Sequence, residues 1–168
     1  SQQLAFVRFD ESEVPEFSMQ MFDNGLYPGY YNYKYPKAGE RNSKVTLHSY
    51  DVMTKDTKTL NVPIEADSYI PRIAFTKNSD QLAVMTLNRH QNVFNMYYAN
   101  PKSGVFRLIL RDENKAYVDS EWLSSIHFYD NCFSYVNEQD GYAHVYLYSP
   151  TGVLLRQVIV VYLVCESS

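Results

Sequence analysis

The side chains able to do chemistry in this 168-residue chain are few and scattered. His48, His90, His127 and His144 are spread over its length. Three of them, His48, His127 and His144, fall in short apolar segments. There a histidine reads as a packed or edge residue with a hydrogen-bond partner, because no ligand spacing supports a metal. His90 lies in the polar stretch NRHQN and reads as solvent-exposed. Asp112 and Glu113, then Asp119 and Glu121, precede Trp122, the single tryptophan of the chain. This long connection either touches a ligand at one end of the fold or is a solvated loop that the indole anchors to the next unit. Cys132 and Cys165 are too few for a metal knuckle or a disulfide framework. Their spacing neither joins them in a bridge nor forbids one.

What is missing sharpens the reading. No G-x-S-x-G elbow, G-x-G-x-x-G, P-loop, H-E-x-x-H or paired C-x-x-C occurs. The chain therefore carries no catalytic residues of those classes, and neither a metal nor a cofactor is expected. The formal net charge of −4 argues against a general nucleic-acid binder. The longest apolar run, 158–164, is far short of the ~20 residues that a spanning helix needs.

The elements that must position these residues are strands. Aromatic residues make up 15% of the chain, with 16 Tyr and 9 Phe, types that suit a pleated, half-buried surface. Apolar runs of strand length dominate, and no window shows a helical stripe. Strands are expected at 4–9, 17–22, 45–52, 72–75, 81–87, 93–98, 105–110, 125–129, 132–136, 142–148 and 153–161. In 142–148 and 105–110 both faces are bulky and apolar, so these strands are expected to pack on both sides.

The runs repeat. RIAF, QLAVMTL, VFNMYYA and VFRLIL are linked by polar turns, and so are SIHF, CFSYV, YAHVYLY and VLLRQV. A partial copy, KVTLHSYDV then KTLNV, lies upstream. A four-stranded antiparallel unit at roughly 40–50 residues is the mark of a β-propeller blade. The expected fold is all-β: a partial propeller, residues 1–168 forming a piece of one longer propeller domain, because such blades rely on their neighbours. Equivalent second strands are about 50 residues apart between the last two repeats and about 78 between the first two, which leaves about 28 extra residues. These are placed at 12–39 as an inserted hairpin arm turning at Asp23, Asn24 and Gly25. Its Phe17, Met19 and Phe22 face Tyr30, Tyr31 and Tyr33, which would form a large apolar patch if exposed. The tail, 159–168, is an atypical β-branched run prone to edge pairing.

Three stretches together resemble one family: LAFVRFDESEVPEF (4–17), YPKAGERN (35–42) and EQDGYAHVYLY (138–148). In this order they are similar to the propeller domain of the dipeptidyl peptidase IV family, over 3–158. The resemblance implies a serine exopeptidase that releases X-Pro or X-Ala dipeptides from peptide N-termini. It also implies an eight-bladed propeller beside a C-terminal α/β-hydrolase domain, and a periplasmic, secreted or cell-surface parent. The family's amine-binding glutamates would lie upstream of Leu4 and its catalytic Ser, Asp and His downstream. Beyond Val158 the family pattern stops. Where the family sets an aromatic and an arginine towards the peptide, this chain has Trp122 and Glu121, so these are its expected substrate-binding residues. The matching arm makes homodimer contact in the family. Two other readings are a non-enzymatic propeller that binds proteins and a sandwich that stacks its tyrosines on glycans.

Overall fold

The computed structural model describes residues 2–22 and 24–159. Thirteen strands and one short helix are assigned among them. The first blade holds β1 (Gln3–Asp10), β4 (Lys44–Asp51) and β5 (Thr57–Leu60) in that order. The second is β6 (Tyr69–Phe75), β7 (Leu82–Leu87), β8 (Val93–Ala99) and β9 (Phe106–Glu113). The third is β10 (His127–Phe128), β11 (Phe133–Asn137), β12 (His144–Tyr148) and β13 (Leu154–Ile159). All neighbours within a blade are antiparallel. The all-β fold with four-stranded antiparallel units is thus the one the repeats predict. Of the tail 159–168, all beyond Ile159 lies outside the described residues, as does Cys165.

Strand β7 shows why the central blade reads as apolar on both faces. Leu82 and Val84 join Leu47, Leu60 and Ile70 in the core between the first two blades. Ala83, Met85 and Leu87 join Phe94, Leu123, Phe133 and Tyr135 in the core between the second and third. Period-2 alternation sends successive side chains to opposite faces, and here both faces meet a neighbouring sheet.

The expectation of two-sided packing fails for β9, and in β12, which belongs to the last described blade, one face meets a neighbouring sheet. β9 is the outer strand of its blade, and Leu108 there is 48% exposed. A register shift sets Met96 opposite Leu110 but Tyr97 opposite Leu108, so Ile109 is an extra residue. The bulge lets consecutive Ile109 and Leu110 both be buried. In β12, His144, Tyr146 and Tyr148 are buried against the second blade, whereas Val145 and Leu147 are half-buried.

The extra residues between β1 and β4 form their own sheet, β2 (Glu16–Met21) with β3 (Gly29–Lys34). Its strands end at Met21 and begin at Gly29, further apart than the expected turn at 23–25, of which Asp23 lies outside the described residues. The hairpin is tied down at its root. Val14 is buried, the Tyr35 amide donates to the Pro15 carbonyl, and Arg41 and Lys44 both pair with Glu13. Arg89, from the β7–β8 loop, donates to the Glu40 carbonyl.

Antiparallel order sorts the connections between two ends. The arm, the β5–β6, β7–β8 and β11–β12 loops and the β9–β10 connection all emerge at one end of the blades. No helix among the described residues is long and apolar enough to cross a membrane.

Candidate functional site

The β9–β10 connection, expected as a plain loop, contains helix α1 (Ser120–Ser124). Five residues are too few to leave a periodic stripe, and the cap was not singled out. Asp119 is extended, and its carboxylate accepts from the Glu121 amide at 2.9 Å, as an N-cap aspartate should. The C-terminal carbonyls are also met. Ser124 Oγ donates to the Glu121 carbonyl, and the Ser125 amide and hydroxyl both donate to that of Trp122. Leu123 plugs α1 into the core between the second and third blades.

Beside α1 lies an open cleft of ≈ 350 Å³ between the end of β9 and the end of β11. Asp112, Tyr117, Trp122, Tyr135, Asn137 and Gln139 are on its walls. The Val118 amide donates to the Gln91 carbonyl at 2.7 Å, so the β7–β8 loop that grips the arm's root also holds this connection.

The polar groups of the cleft are ordered by burial. The Tyr135 hydroxyl donates to Asp112 Oδ2 at 3.0 Å. Burial holds the Asp112 carboxyl above the usual carboxylate range, although this bond and the Glu113 amide favour the anion. Burial and the facing carboxylate push the Tyr135 phenol up, so it stays a donor at any physiological pH. Burial also raises Tyr148, whose phenol oxygen accepts from Asn137 Nδ2 at 3.2 Å and Gln139 Nε2 at 3.5 Å. Four carboxylates (Asp112, Glu113, Asp119 and Glu138) and one lysine, Lys115, line the cleft. Such a wall offers acceptors, ring faces and negative charge.

The two expected substrate-binding residues part company here. Trp122 is half-buried on the cleft wall, and its indole N–H is buried without a hydrogen-bond partner among the described residues. Glu121 is exposed and is not among the residues that form the wall. Asp112 was named with Trp122 as part of this connection, whereas Tyr135 and Asn137 were not singled out. All three are strand residues, and only the approach of two blades makes them neighbours.

Three of the four histidines are engaged in local bonds, and His90 is exposed as expected. His48 contacts the hydroxyls of Thr46 and Thr59, His127 meets the Ser125 carbonyl, and His144 pairs with Asp140 at 3.2 Å. Cys132 is a free thiol.

The arm carries a second surface. Phe17 pairs with Tyr33, Met19 with Tyr31 and Met21 with Gly29, so one face holds the rings and thioethers. Phe17, Tyr31, Tyr33 and Tyr35 form a ladder with centroids 5.6–6.1 Å apart. Lys37 lies over Phe17 at 5.4 Å. Met19, Tyr31 and Tyr35 are exposed, and Phe22, beyond the last pair, is 79% exposed. Tyr30 pairs with Gln20 and stands on the opposite, polar face with Ser18 and Asn32.

Residues 1–163 match the family model of the dipeptidyl peptidase IV N-terminal region. The chain belongs to that family. The chain is 30% identical over 138 residues to a probable dipeptidyl-aminopeptidase B of Phaeosphaeria nodorum, covering 74% of this chain and 15% of that protein. It is 31% identical over 133 residues to dipeptidyl-aminopeptidase B of Aspergillus niger, with 71% and 15% covered. The crystal structure of Porphyromonas gingivalis dipeptidyl peptidase 4 is similar with a TM-score of 0.88 and 57% identity, over 95% of this chain and 23% of that one. A putative dipeptidyl aminopeptidase IV from Bacteroides ovatus gives a TM-score of 0.76 at 26% identity, over 90% of this chain and 22% of that one. The chain therefore spans about a sixth to a quarter of the relatives it matches.

Proposed function

We propose that this chain is the non-catalytic propeller portion of a serine dipeptidyl peptidase that releases X-Pro or X-Ala dipeptides from peptide N-termini. In this reading the cleft beside α1 shapes the approach of the peptide. Trp122 supplies an apolar wall, and Glu121 supplies charge on the solvent side of the same helix. The ring-bearing face of the arm makes the homodimer contact, with Phe17, Met19, Tyr31 and Tyr33 at its centre, Phe22 at its tip and Tyr30 at its margin. The observation that supports it most is the position of the cleft. An acceptor-rich groove with an aromatic wall opens at the blade end where five connections gather, in a member of a peptidase's N-terminal family.

The test is turnover of a Gly-Pro chromogenic substrate by the complete polypeptide and by the 168-residue chain alone. The complete polypeptide should cleave it and the chain should not, because it has no activated nucleophile of a known class. Cleavage by the repurified chain, or none by the complete polypeptide, overturns the reading. A non-enzymatic protein-binding propeller is the second reading, favoured by the exposed ring ladder of the arm.

A further inference from the structure

Helix α1 has no basic residue in its own last turn. Its negative end is instead met by a cation from the neighbouring blade. Arg72, on β6, pairs with Met85 across the sheet and so shares the face turned towards the third blade. Its Nη1 donates to the Leu123 carbonyl at 2.7 Å and the Ser124 carbonyl at 2.8 Å, and reaches that of Ile126 at 3.4 Å. Ser124 and Ser125 already meet the carbonyls of Glu121 and Trp122, so Arg72 completes the hydrogen bonding of the helix end.

This is a costly arrangement to leave incomplete. Leu123 and Ile126 are buried, so carbonyls beside them cannot all turn to water. A guanidinium is the suitable group, because it stays charged and can share donors among several oxygens. A positive charge at a helix C-terminus also opposes the helix dipole. Nothing local in sequence provides this anchor, since Arg72 and the carbonyls are 51 to 54 residues apart.

The geometry points to Arg72 as a positioning residue for substrate recognition. It clasps the end of α1, and through α1 it sets the angle at which Trp122 stands in the cleft wall. Arg72 itself need not touch the peptide. The substrate half of this inference rests on the peptidase reading above, but the clasp does not.

Trp122 is the only tryptophan of the chain, so its fluorescence reports on α1 directly. In the 168-residue chain, Arg72→Met should red-shift the emission and raise acrylamide quenching, with the β-sheet circular dichroism unchanged. Arg72→Lys should restore part of both. In the complete polypeptide, Arg72→Met should raise KM for a Gly-Pro substrate about three- to tenfold with a smaller change in kcat, the sign of lost binding rather than lost chemistry. A folded Arg72→Met variant with wild-type quenching overturns the clasp whatever the enzyme does. Shifted fluorescence with an unchanged KM overturns the link to substrate. If Arg72→Met does not fold, Arg72→Gln is read in its place, and wild-type quenching together with wild-type KM in it overturns the inference. A complete polypeptide without peptidase activity leaves the fluorescence arm to decide the clasp and removes the peptidase reading alone.

Discussion

Gly152, in the β12–β13 turn, lies against the backbone of Ile109, the bulged residue of β9 in the preceding blade. Its φ is +88°, and a Cβ built there would overlap the Ile109 carbonyl. Both facts exclude a side chain: the left-handed backbone disfavours one and the neighbouring strand leaves no room. Gly152→Ala should destabilise the chain by about 2–4 kcal/mol, from backbone strain plus overpacking. Urea unfolding should show the midpoint falling. An unchanged midpoint would mean that the second and third blades do not meet closely at this point.

Asp112 predicts an unusual pH dependence. Its carboxyl is held above the ordinary range by burial, so the folded chain binds this proton at higher pH than the unfolded chain does. The group therefore weighs against folding as pH rises through its raised value, and the loss vanishes below the ordinary aspartate value. Asp112→Asn removes the loss and keeps an oxygen for the Tyr135 hydroxyl. Relative to wild type, the variant should gain stability as pH rises from the ordinary aspartate value to the raised one, and keep that gain above it. Asp10, Glu13 and Asp51 are shifted down by their hydrogen bonds and act with the opposite sign, so the difference between the two proteins is the quantity to measure. Parallel curves would show that the Asp112 carboxyl is solvated.

Trp122 is tested by truncation in the complete polypeptide. Trp122→Ala should raise KM roughly three- to tenfold and lower kcat less, because an aromatic wall remote from the bond cleaved contributes binding more than chemistry. Glu121→Gln should change KM less, since its side chain is not on the cleft wall. A folded Trp122→Ala variant with normal KM would make the indole only an anchor for α1.

The arm is tested by removing residues 16–34 and closing the gap with a short Gly-Ser linker. This cut keeps Val14 and the Glu13 pairs at the root. Light scattering on the complete polypeptide should then read a monomer where the parent reads a dimer. Apolar rings exposed on one hairpin face favour such a contact. A dimer that survives the cut would rule the arm out as the main interface.

The alternation and repetition of short apolar runs determined the strands, the blades and the place of the arm. These signals are local: a period of two marks a strand facing a core, and a polar cluster every few residues marks its end. The wet face of β9 was not legible, because composition does not say which strand is outermost. Nor did the alternation of residues warn of the bulge at Ile109, which arises from pairing with β8.

The site was legible only in part. Trp122 stood out by its type, after a series of acidic residues in a long connection that begins near Asp112. The partners on β11, Tyr135 and Asn137, did not stand out. Asp112 and Tyr135 are 23 residues apart and come within hydrogen-bond distance only because the third blade stacks on the second. The same stacking carries Arg72 to the end of α1 and Gly152 to Ile109. Local periodicity is written into the chain residue by residue, whereas contacts between blades depend on the angle and register at which finished sheets pack. The sequence by itself determined what each blade is made of. Only the tertiary structure decided which side chains of one blade face those of the next, because that choice is made by packing after the strands exist.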